Sequence, residues 1–146
     1  MGNKLFSQIK KRLDKYGILL VDDRQAKFFT IVEGKILTKE YTPDIAIKDK
    51  LDESKRKSGR GISTKLTNIK NEFKKRFFKV VFEDLSHKHS FHEFDKFIVM
   101  CPEDDIQMVK QLMKNSLAES FIGLKQGNYM RAGINEILSG AMEALP

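Results

Sequence analysis

The hydrophobic positions switch repeatedly between helical and strand period along the chain, and each change marks an element. Leu5, Phe6, Ile9, Leu13 and Tyr16 recur at helical spacing, with Lys10, Lys11, Arg12 and Lys15 on other faces. They predict a short amphipathic helix over residues 1–16, packed by its apolar stripe and closed by Gly17. Gly17 to Val21 is then a continuous apolar run, the pattern of a strand buried on both faces. After the break at Asp22-Asp23-Arg24-Gln25, Ala26 to Val32 and Lys35 to Tyr41 read as two more strands. The Glu33-Gly34 reversal joins them into an antiparallel meander.

From Thr64 the spacing turns helical again, through Leu66, Ile69, Phe73, Phe77, Val80 or Val81, and Leu85. Phe78 and Phe82 widen that stripe, so this long helix is expected to touch two neighbours. A strand ending at Cys101 and bounded by Pro102 follows, then a helix with acids in its first turn and Ile106, Val109, Leu112, Met113 and Leu117 inside. Phe121 to Leu124 reads as a strand and Met130 to Leu145 as a closing helix. The alternation of strand and helix in the second half favours parallel pairing. The expected fold is a single α/β domain over residues 1–146, a five-stranded mixed sheet with helices on its faces, ribonuclease-H-like in outline.

Between the meander and the long helix, residues 43–63 carry no hydrophobic periodicity beyond Ile45 and Ile47, and connections of that length are usually functional or disordered. Charge gives this connection its meaning. The 146 residues carry a net +7, yet residues 48–79 hold twelve Lys and Arg against four Asp and Glu, a balance of +8, which leaves −1 for all the rest. Lys55, Arg56, Lys57, Arg60 and Lys65 fall within eleven residues that contain no carboxylate. Gly59 and Gly61 flank Arg60 and allow positive φ, so consecutive N–H groups can turn toward one concavity. Ser63 or Thr64 is placed to cap the helix, whose N-terminus itself attracts anions. With Lys70, Lys74 and Lys75 on the helix, this is the footprint of a nucleic-acid-binding surface; a solvated lysine-rich face beside a disordered loop is the plainer alternative.

Other candidate chemistry is thinner. Asp22 and Asp23 at a strand end read as turn formers, the alternative being metal ligands of a nuclease. His87, His89 and His92 crowd the exit of the long helix without an evident fourth ligand for zinc. No metal or cofactor is expected, and no Ser–His–acid spacing points to a catalytic residue. Eleven Phe and three Tyr indicate a globular core, and the single Cys101 is read as a small buried hydrophobe. Cysteine usage and the lack of an apolar segment of spanning length favour a cytoplasmic location without membrane insertion. Met1-Gly2 matches a lipidation start only in part, because Phe6 stands where Ser or Thr is needed.

Taken together, Gly17-Ile18-Leu19-Leu20-Val21-Asp22, the Phe28 to Leu37 hairpin with Gly34, Ser58-Gly59-Arg60-Gly61 before a long helix, and Gly127-Asn128 before the last helix are arranged in a familiar order. That order resembles the middle domain of eukaryotic and archaeal class I peptide-release factors and their Pelota relatives. It is similar also to small bacterial release-factor-like proteins of the host-attachment type. The resemblance runs from about Gly17 to Leu145. It implies a partner in the ribosome or a tRNA, and a loop that in release factors reads Gly-Arg-Gly-Gly-Gln. Here Ile62 stands for the second glycine of the Gly-Gly-Gln triplet and Ser63 for its glutamine, so ester hydrolysis is expected to be absent or much weakened, and stop-codon reading to be missing. Two alternatives stay open: a divergent peptidyl-tRNA hydrolase or nuclease, and an interaction module for an acidic protein partner or surface.

Overall fold

The computed structural model describes residues 2–22, 24–43, 62–113 and 115–146, with side chains described from Ser7 on except those of residues 62–71, 115 and 116. The elements in chain order are α1 (Gly2–Arg12), β1 (Tyr16–Val21), β2 (Ala26–Val32), β3 (Lys35–Tyr41), α2 (Ile62–Ser90), β4 (Lys96–Cys101), a 3₁₀ turn (Glu103–Asp105), α3 (Ile106–Leu112), α4 (Asn115–Ser120), β5 (Phe121–Gln126) and α5 (Ile134–Glu143). The strands form one sheet in the order β3-β2-β1-β4-β5. β1–β2 and β2–β3 are antiparallel, while β1–β4 and β4–β5 are parallel. The expected five-stranded mixed α/β sheet is therefore borne out.

Strand alternation sends side chains into two separate cores. Leu19, Val21, Phe28, Phe97, Val99 and Cys101 meet Phe77, Phe78, Val81, Phe82 and Leu85 of α2 on one face. Ile18, Leu20, Phe29, Ile31, Ile98 and Met100 meet Leu13 after α1 and Ile137, Leu138 and Ala141 of α5 on the other. β1 and β4 are covered on both sides, which is why they read as unbroken apolar runs. At the β5 edge the register shifts by one residue between Phe97 and Ile98, so Phe121 and Leu124 both serve the α2 side. Gly123, in that shifted segment, lies so close to α5 that an added Cβ would run into the Ala144 carbonyl oxygen. The β2–β3 reversal has Glu33 at φ 52° and Gly34 at φ 77°, the two left-handed residues of a type I′ hairpin turn.

Four expected boundaries move, the first being that α1 ends at Arg12, so that Tyr16 opens β1 and Gly17 lies within that strand instead of closing the helix. The acidic helix is not continuous: Met113 takes an extended conformation (φ −80°, ψ 124°) after α3, and a second short helix, α4, delivers Leu117 to the core. Both Met113 and Leu117 are buried in the core beneath α2. The closing helix begins at Ile134 rather than Met130, because the Asn128 side chain accepts the Met130 N–H in a turn and Gly133 is extended. α2 begins at Ile62, so Ser63 and Thr64 lie inside its first turn instead of capping it, and it runs on past Leu85 to Ser90.

Candidate nucleic-acid interface

The long helix carries those cations of residues 48–79 that the structure describes. Its 29 residues extend about 43 Å at 1.5 Å per residue, roughly twice the length of a six-residue strand. Its inward stripe is held by the aromatic core beneath, which leaves the opposite side to solvent. Lys75, Arg76 and Lys79 are exposed on that side, with Glu72 and Glu83 flanking them.

Lys74 behaves differently. Its ammonium donates to Asp105 Oδ1 at 2.8 Å, the carboxylate being buried and the lysine largely so. The pair ties α2 to the turn after β4, and Lys74 therefore serves the internal frame, whatever else it meets. Of the remaining candidates, Lys55, Arg56, Lys57, Gly59, Arg60 and Gly61 lie outside the described residues. Ser63, Thr64, Lys65 and Lys70 stand on the helical backbone of the first turns of α2. Ile62 and Ser63, the positions that replace Gly-Gln in the release-factor comparison, are thus helical. Arg76 and Lys79 join the exposed surface, on the side away from the buried Phe77, Phe78 and Val81.

Of the other chemical candidates, Asp23 lies outside the described residues. Asp22 Oδ1 accepts the N–H groups of Arg24 at 2.7 Å and Gln25 at 2.8 Å, which is the geometry of a turn former. His89 Nε2 lies 2.6 Å from Ser120 Oγ and 3.2 Å from the Asp95 carbonyl oxygen, and the ring leans on Phe94. Ser120 is buried, and neither residue lines the groove of about 650 Å³ between α2 and α3–α4, which is walled by Lys79, Phe82, His87 and Leu117 among others. His87 stacks on Phe91, and His92 adopts a left-handed backbone at the helix end. Among the described residues no group of three or more His, Cys, Asp or Glu is arranged to hold a metal ion. Burial, reinforced by the charge of Asp105, pushes the Cys101 thiol up to about 12, so it is no nucleophile near neutral pH. No helix among the described residues is long and apolar enough to cross a membrane.

No protein-family model matches the chain, and no curated protein matches it either. Among solved structures, the crystal structure of an archaeal translation termination factor, aRF1, is similar, with a TM-score of 0.49 and 14% sequence identity. The similarity covers 92% of this chain but 39% of the archaeal one.

Proposed function

We propose that the protein is a non-catalytic RNA-contacting component of the translation apparatus that grips ribosomal RNA or tRNA through residues 55–65 and the solvent side of α2. The observation that carries this reading is the concentration of charge, +8 over residues 48–79 in a chain of +7. Such a field attracts polyanions at physiological salt. Exposure of Lys75, Arg76 and Lys79 supports it, because these cations face water and the protein's inner acids do not reach them in any described ion pair. The order of the Gly17 to Asp22 run, the Gly34 hairpin and the Gly-Arg-Gly stretch before a long helix favours a translational RNA over DNA.

Affinity for tRNA measured across a salt series tests the reading. If about six phosphates are neutralised, log K falls against log salt with a slope of roughly −5. Replacing Lys55, Arg56, Lys57 and Arg60 by Ala should flatten that slope by about four and leave the circular dichroism spectrum unchanged. A salt-insensitive complex, or an unaltered slope in the variant, contradicts it. In the same preparation, peptidyl-tRNA is expected to hydrolyse no faster than in buffer, since Ile62-Ser63 replaces the residues that would place water.

A further inference from the structure

The C-terminal end of α2 carries an aromatic ring that the core does not use. Phe91 is 71% exposed, the largest exposure among the described bulky apolar residues. The ring is not loose. It stacks on His87, one helical turn earlier, with centroids 5.8 Å apart and planes inclined at 28°. The backbone beneath is pinned, because the His87 carbonyl accepts from Phe91 N at 3.2 Å and from Ser90 Oγ at 2.6 Å. His92 N to His89 O and Glu93 N to Lys88 O, both 3.0 Å, then close the helix as a Schellman motif. An exposed ring on a rigid mount, with polar neighbours on each side, is a poor piece of an apolar protein interface. It is a good stacking surface for a flat, polar ligand.

Its position relative to the cations decides which ligand. Arg76, Lys79, Glu83, His87 and Phe91 succeed one another at intervals of three or four residues, so they follow one side of α2 over about 22 Å. Single-stranded RNA is bound by this combination: cations track the phosphates while an aromatic face takes an unpaired base. We infer that the His87–Phe91 stack is a base-stacking platform at the far end of the cationic track, so that the solvent side of α2 takes an unpaired stretch of RNA. The inference rests on the RNA-contacting reading above and adds to it a site that is not electrostatic. Glu83 lies between the platform and the cations, and a bound strand must keep its phosphates on the Lys75–Lys79 side of it.

The chain contains no Trp, so Phe91→Trp introduces a single fluorophore at the platform. Two probes of about twelve nucleotides are compared, an oligoadenylate and an abasic ribose-phosphate oligomer of equal length. Wild type should bind the oligoadenylate about tenfold more tightly than the abasic strand, within the range one base–aromatic stack supplies. Phe91→Ala should erase that ratio while keeping the salt slope, and Phe91→Trp should retain it with emission quenched by the oligoadenylate alone. Glu83→Gln should tighten both probes severalfold. Equal binding of the two probes by wild type, or a ratio that survives in Phe91→Ala, overturns the platform and leaves the electrostatic reading standing. Failure of both probes to bind overturns both. Loss of self-association in Phe91→Ala, with RNA affinity unchanged, would assign the ring to a protein contact instead.

Discussion

Asp84 shows how a single carboxylate on α2 fastens the open edge of the sheet. It accepts the Tyr41 hydroxyl and, at 2.9 Å, the Lys39 ammonium, both from β3. Burial alone would push its pKa up, but the bonds from Tyr41 and Lys39 outweigh that and hold the carboxyl below its ordinary value. Burial and the same carboxylate drive the Tyr41 hydroxyl far upward, so it remains a donor throughout the physiological range. For a carboxyl whose folded pKa is depressed, the stabilisation is present above the unfolded value near pH 4 and is lost as pH falls through the lower folded one. Acid unfolding monitored from pH 6 to pH 2 should therefore be steeper in wild type than in Asp84→Asn across the region below about pH 4. Superimposable curves would mean that the β3 latch contributes nothing.

At the scale of elements, the end of α2 is mechanically defined and sterically costly. His92 sits at φ 59° in the position that glycine usually fills in a Schellman motif, and a residue with a Cβ is disfavoured there by roughly 1–2 kcal/mol. His92→Gly should raise stability by about 1 kcal/mol, less the greater freedom glycine gains when unfolded. A denaturant midpoint that does not rise would show that the imidazole offsets the strain. The elements themselves are largely legible from period alone. β1 and β4 show as unbroken apolar runs, the meander turns at Glu33-Gly34, and the core stripe of α2 follows its aromatic spacing. What period cannot reveal is set by long-range packing. The break at Met113 leaves no trace in the spacing, because Met113 and Leu117 are four residues apart as they would be on one face of an unbroken helix, and the bond from Lys74 to Asp105 joins residues 31 apart in sequence. Phe91 is equally hidden, since an exposed and a buried phenylalanine look alike in a string of letters; its place one turn after the exposed His87 puts it outward.

Over the whole molecule, two apolar cores fix the sheet, and an uneven charge distribution lies outside them. The body is nearly neutral, while the stretch of 48–79 carries the +8. Of its cations, Lys74 is committed to the frame by Asp105, whereas Lys75, Arg76 and Lys79 stand in water. The cationic residues before α2 emerge from counting charge, and that count needs no fold. Their partner is set by what phosphate demands of them, and a translational RNA is the partner proposed. Co-sedimentation of the purified protein with ribosomes at low and high salt tests this most directly. The account predicts that the protein pellets with ribosomes at low salt, stays in the supernatant at high salt, and fails to pellet at either when Lys55, Arg56, Lys57 and Arg60 are alanine. Pelleting that persists in the alanine variant, or no pelleting of wild type at any salt, would contradict it.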